Sequence, residues 1–156
     1  MKITAQEEYG LRCLLQIALL TKSGGLASLN DIAEAEGISI DYAAKLLMVL
    51  RQTNLVESIR GQSGGYRLTK PPEKIYLDQV ICSLSGKLFE SDLCGQFPGI
   101  ESKCIHINCC SIRSVWLSIS RIMFNLFKQI TLKDLLEKEN LLTRHLKREL
   151  VLGLGA

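Results

Sequence analysis

The sequence predicts a mainly α fold that carries one small β-hairpin and, later in the chain, one long helix. Three observations predict it. From Gln6 to Asn54, apolar residues recur at three- and four-residue steps, the period of amphipathic helices. Two short runs of strand-like residues then flank a glycine-rich stretch at 60–65, the pattern of a hairpin. From Ser111 the helical period returns and holds through Ile130. With 156 residues, 47% apolar and 22% charged, the composition excludes a disordered or collagen-like chain. A chain of this length buries about two thirds of its unfolded surface, enough for one core without disulfide staples.

The first helix is predicted over Gln6–Leu20, where Tyr9, Leu11, Leu14, Leu15, Ala18 and Leu19 form a wide apolar face. Lys22-Ser23-Gly24-Gly25 breaks it. Ser28 then stands three residues before Asp31, a capping-box variant that opens a second helix over Leu29–Glu36, stopped by Gly37. Ser39 caps a third helix with Asp41 in its first turn and Tyr42, Leu46, Leu47, Val49 and Leu50 along it, until Asn54 offers a left-handed stop. Two short helices around a glycine turn form either a helix-turn-helix or simply two packed helices of an α core. The next segment favours the first. Leu55–Ile59 alternates like a strand, 60–65 is a glycine turn, and Tyr66-Arg67-Leu68 returns as a second strand, so the pair is joined directly to a wing.

Pro71-Pro72 closes that module, and Asp78 is expected to cap a short helix that runs through Leu84 to a stop at Gly86. Residues 87–110 show no sustained period and hold four of the six cysteines, the pattern of a loop with chemistry. Beyond them Ile112, Val115, Trp116, Ile119, Ile122, Met123, Leu126 and Ile130 make one apolar stripe. It packs either on its own domain or, the favoured reading, against a second subunit. Thr131 caps a further helix, and the charged stretch from Glu137 to Glu149 reads as solvated. The expected organisation is a winged helix-turn-helix DNA-binding domain at 1–86, a cysteine loop at 87–110, a dimerisation helix at 111–130 and a C-terminal helix and tail at 131–156.

The net charge of +3 is too mild to announce a nucleic-acid partner. Its distribution says more: between positions 45 and 70, Lys45, Arg51, Arg60, Arg67 and Lys70 face Glu57 alone, a local net of +4. Ser39, Asp41, Tyr42 and Lys45 occupy the start of the third helix, the end that meets base edges in the major groove. Arg60 and Arg67, with Gly64 and Gly65 letting backbone come close, are the wing's candidates for phosphate or minor-groove contact; Arg51 is a phosphate contact or a helix-end charge. The first residues lack an export signal and no apolar run approaches membrane length, so a cytoplasmic protein with reduced cysteines and no membrane contact is expected. Its cysteines then read as ligands, redox groups or small core residues, and Cys13 and Cys82, on apolar helix faces, as core. No Cys-x-x-Cys pair, phosphate-binding glycine loop or catalytic constellation is present, so no enzyme is expected.

Iron-sulfur clusters require soft thiolates on a loop able to wrap them, and Cys94, Cys104, Cys109 and Cys110 supply such donors, three of which suffice. Three thiolates with His106 would equally make a tetrahedral zinc site, and a zinc-stiffened interaction module is the reading from another class. Met1-Lys2-Ile3-Thr4, Ile32-Ala33 with Gly37-Ile38-Ser39, Leu46 through Leu50 with Arg51, Asn54-Leu55-Val56 and above all Arg60-Gly61-Gln62-Ser63-Gly64-Gly65-Tyr66-Arg67-Leu68 resemble the Rrf2 family of winged-helix transcription regulators, which includes the IscR, NsrR and RirA types. The likeness spans residues 1–135. It implies a homodimer on a pseudo-palindromic double-stranded DNA operator and, for many members, an iron-sulfur cluster, [2Fe-2S] or [4Fe-4S], on three loop cysteines. Family spacing places the last ligand six residues before a tryptophan, so Trp116 points to Cys110 and the resemblance implies the set Cys94, Cys104 and Cys110, with adjacent Cys109 as a rival. Where the IscR type has a histidine this chain has Arg113, which is no metal ligand. Nitric-oxide-sensing relatives use a carboxylate at the eighth position, from the other subunit, and Glu8 stands there; His106 or a thiol are its rivals, and a plain first-turn charge is the alternative. The expected function is transcription regulation under cluster control, with a cluster-free repressor that responds to thiol oxidation or a small metabolite as the alternative.

Overall fold

The structure is a computed structural model in which residues 3–61, 63–85, 100, 104–106, 108–137, 143 and 146 are described. Thr4 caps α1 (Ala5–Leu20) with a full capping box to Glu7. Ser28 caps α2 (Leu29–Glu36), which ends on Gly37 in the left-handed region at φ 63°. Ser39 caps α3 (Ile40–Gln52), and Asn54, at φ 58°, turns the chain into the hairpin. Strands β1 (Val56–Ile59) and β2 (Gly65–Leu68) pair antiparallel with Val56 opposite Leu68 and Ile59 opposite Gly65. A 3-10 turn (Pro72–Lys74) leads to α4 (Leu77–Ser85), and after the cysteine segment come α5 (Ser111–Phe127) and the short α6 (Leu132–Leu135).

The core is built around α1, which packs against α2, α3 and α4. Cys13, Leu14 and Ile17 of α1 meet Ile32 of α2, Leu46, Leu47 and Leu50 of α3, Leu55 and Val56 at the hairpin, and Val80 and Leu84 of α4. Gly10 makes the α1–α4 approach possible, because a Cβ there would stand 2.3 Å from Leu84 Cδ2. Polar contacts lock this head from within. Gln6 donates to the Leu84 carbonyl and Ser85 Oγ to Glu7, tying the start of α1 to the end of α4. Arg12 reaches Glu36 at 2.5 Å, joining α1 to α2.

Three expectations are corrected. Asp78 is not the cap of α4, since Leu77 is already helical and Asp78 lies inside the first turn. Ile130 does not belong to the stripe of α5: the helix ends at Phe127, and buried Ile130 accepts a hydrogen bond from Leu77 N at 2.8 Å. With Leu132 N donating to the Ile75 carbonyl at 2.8 Å, that segment straps α6 onto the head and places Leu132 in its core. Cys82 is exposed rather than core, because the inward face of α4 is taken by Leu77, Val80 and Leu84. For the stripe of α5 the structure leaves the favoured reading open: no residue of α5 is buried, Ile112, Val115, Trp116, Ile119 and Ile122 are all exposed, and Met123 and Leu126 are half-buried.

Candidate functional site

Two groups of residues carry chemistry. The first is the surface formed by α3 and the hairpin. Ser39 Oγ accepts from Tyr42 N at 3.2 Å, which fixes where α3 begins. Asp41 and Lys45 project from its first two turns, exposed. Tyr42 is half-buried and packs edge-on against the Tyr9 ring at 6.1 Å, which helps orient α3 on α1. Arg51 donates to Ser58 Oγ at 3.3 Å and so ties the end of α3 to β1. Arg67 pairs at 2.6 Å with Glu57, the residue directly opposite it in the ladder. Arg60 stands exposed at the start of the tip.

The wing glycines serve the fold before any ligand. A Cβ on Gly64 would lie 2.5 Å from the Ile59 carbonyl oxygen, and one on Gly65 2.7 Å from that of Ala27. For Gly65 sequence reasoning missed the cause: Ala27 bridges Tyr66 with reciprocal hydrogen bonds of 2.9 and 2.8 Å, so the hairpin is anchored to the residue just before the α2 cap. Also missed were Ile40 and Met48, large apolar side chains exposed on α3; their departure from its buried stripe was the available signal.

The second group surrounds the start of α5. Cys104 and Cys110 are half-buried free thiols, and Cys109 and His106 are exposed. Cys110 is the N-cap of α5, its Sγ accepting from Arg113 N at 3.4 Å. A helix N-terminus is a favourable place for a donor that binds metal as an anion. Cys94 lies outside the described residues, as do Gly86, Gln62, nearly all of 87–103 and most of the charged tail. Glu8 is exposed in the first turn of α1, while its neighbour Glu7 is buried and serves the cap. Among the described residues no three His, Cys, Asp or Glu side chains are gathered as a metal-binding group. By donor chemistry Cys104 and Cys110 fit a thiolate-anchored group, and the full three-sulfur set needs Cys94. Cys13 does not belong to it: burial pushes its thiol up to about 11, which leaves it protonated and inert.

No helix among the described residues is long and apolar enough to cross a membrane. A family described as iron-dependent transcriptional regulator, Rrf2, matches residues 3–138. The chain is 33% identical to the HTH-type transcriptional regulator NsrR of Halalkalibacterium halodurans over 94% of this chain and 98% of the relative. It superposes on T. potens IscR with a TM-score of 0.68 at 29% identity, covering 87% of this chain and 86% of that one. It superposes equally on CymR, the global cysteine regulator of B. subtilis, with a TM-score of 0.69 at 29% identity, over 87% and 96% of the two chains. A capped helix pair, a wing anchored to it and these likenesses lead to one conclusion: the chain belongs to the Rrf2 family of DNA-binding transcriptional regulators, and is not an enzyme.

Proposed function

We propose that this protein is a cytoplasmic homodimeric regulator whose affinity for a pseudo-palindromic operator is controlled by an iron-sulfur cluster on Cys94, Cys104 and Cys110. Residues 1–86 serve as the DNA-binding unit, 87–110 as the cluster loop, 111–130 as the dimerisation segment and 131–156 as the C-terminal helix and tail. One observation carries the reading. The cysteine segment runs directly into α5, Cys110 caps that helix, and the subsequent turns expose the apolar stripe. A disturbance at the thiols therefore acts on the helix that a second copy would cover. Two copies related by a twofold axis present two α3 helices to two half-sites, which is why the operator is expected to be palindromic.

In this reading Ser39, Asp41, Tyr42 and Lys45 serve α3 in the major groove, and Arg51, Arg60 and Arg67 with Gly64 and Gly65 serve the phosphates and the wing. Glu8 is the fourth ligand, supplied by the opposite protomer; His106 or a further thiol is its rival. Bound there, a cluster would supply iron that oxidants, nitric oxide or iron shortage alter. The chain's own part is transmission: the Gln6–Leu84 and Glu7–Ser85 contacts hold the start of α1, next to Glu8, to the end of α4, and α1 packs directly on α3.

Purification without oxygen, with visible absorption and iron and sulfide analysis, tests the proposal. Coloured protein whose colour and operator response both vanish when the three cysteines are changed to serine is the expected result. A colourless, iron-free dimer that still binds operator overturns it. That outcome supports the second reading, control by thiol oxidation or a small metabolite, which the exposed Cys109 beside Cys110 and the likeness to CymR favour.

A further inference from the structure

Helix α3 buries Ala43, Leu46, Leu47 and Leu50 and turns the row Asp41, Lys45, Met48 and Gln52 outward, spaced as one helical face. Ile40, the first residue after the Ser39 cap, flanks that row. Two large apolar side chains therefore stand about half in water, Ile40 at 50% and Met48 at 48%, although the helix's own core is complete. Single exposed apolar residues are ordinary on protein surfaces. Their company sets these two apart. Met48 shares its face with a carboxylate and an ammonium, Ile40 stands at the exposed N-terminal end of the same helix beside that carboxylate, and Arg60 is exposed on the adjoining wing.

We propose that Ile40 and Met48 are specificity-determining residues that seat the 5-methyl groups of thymines in the major groove. This rests on the reading of α3 as the helix that enters the groove. Thymine is the standard base that presents an apolar group there, whereas the other base edges present amines and carbonyls that Ile or Met would leave unpaired. Lys45 donates to guanine O6 and N7, and Asp41 finds its donor in the cytosine N4 amine. Met48 lies eight positions after Ile40, ~12 Å along the helix. That distance matches three to four base steps at ~3.4 Å each. A half-site with two thymine-reading positions three or four steps apart, and a G·C pair between them, results from the order Ile40, Asp41, Lys45, Met48. Unbranched Met48 adapts to its methyl, while β-branched Ile40 is held stiffly by the first turn.

Full-length protein purified without oxygen selects duplexes from a random-sequence pool, and the enriched duplex is remade with deoxyuridine replacing thymidine at one position at a time. Uracil keeps every base-pairing group and removes only the methyl. Wild-type protein is expected to lose about fourfold in affinity at each of two positions in every half-site, the worth of one buried methyl. Ile40→Ala should be indifferent to the methyl at one of them and Met48→Ala at the other. Wild-type binding that ignores deoxyuridine everywhere, or variants as methyl-sensitive as wild type, overturns the inference and leaves the DNA-binding reading standing. A pool from which nothing is enriched overturns both. The deoxyuridine arm leaves the protein unaltered, so a folding defect in a variant cannot imitate the effect.

Discussion

Helix α3, with 13 residues, sends Ala43, Leu46, Leu47 and Leu50 into the core, whereas α5, with 17 residues and the same three-and-four spacing, buries none. Both obey one rule of patterning, and only α3 finds its complement among α1, α4 and the hairpin. The difference teaches that periodicity specifies a face and leaves the partner open. Five large side chains about half exposed on α5 hold in reserve about 1 kcal/mol each for whatever covers them. The head needs no such help: its buried carboxylates Glu7 and Glu36 are paired internally.

Breaking the comparison begins on the buried side. Leu47→Ala should lower the stability of the head by about 3 kcal/mol or more, read from denaturant unfolding, because it opens a cavity where Leu47 is fully buried. Ile119→Glu on α5 should leave helical content unchanged and weaken self-association by roughly 2 to 3 kcal/mol, seen as a shift toward the monomer mass in sedimentation equilibrium. A dimer of unaltered strength would show that the stripe is not the seam.

Smaller effects sharpen the picture of a self-contained head. Gly64→Ala should cost about 1 to 3 kcal/mol and lower operator affinity, since the added Cβ meets the Ile59 carbonyl, which must move. Glu7 tests the α1–α4 tie. Burial by itself would raise its carboxyl, and the hydrogen bonds from Ser85 and Thr4 outweigh that and hold it below the ordinary glutamate value. Its contribution is therefore complete above the ordinary glutamate range and fades as pH falls through the lowered value. Glu7→Gln should remove that acid-side loss and cost about 1 kcal/mol near neutrality, measured as melting temperature against pH. The smallest change is Glu57→Gln. The exposed Glu57–Arg67 pair contributes at most about 0.5 kcal/mol to stability. Freed from it, Arg67 should steepen the salt dependence of DNA binding by about one unit of slope.

Most of the head was legible because its signals are local. Ser28 and Ser39 each cap the residue three positions on, Gly37 and Asn54 take left-handed stops, and the strands flank a glycine tip. The features that escaped depended on long-range neighbours. Gly64 and Gly65 read as places where backbone comes close, and only the structure shows that the Ile59 and Ala27 carbonyls also require them. Tyr42 reads as a groove residue, and only Tyr9, far earlier in the chain, shows why it is half-buried. Ile130 continues the stripe in sequence and leaves it in space, because Leu77 N takes its carbonyl after the helix has ended. Of the candidate metal donors, residue types and spacing were visible from the start, and the structure added that Cys110 caps α5.

By itself, then, the sequence determined the order and type of the main elements, the caps of α2, α3 and α6, the turn positions and the concentration of thiols ahead of a long apolar helix. Each of these depends on a residue and its neighbours within a turn or two, where sterics and hydrogen-bonding capacity act directly. Only the tertiary structure decided which face is covered: that Cys13 is inert core and Cys82 is not, that Arg67 is answered by Glu57, and that Ile40 and Met48 remain in water. Burial is a property of what lies opposite, and what lies opposite α1 or α5 is set by chain segments whose distance in sequence carries no imprint in the local pattern.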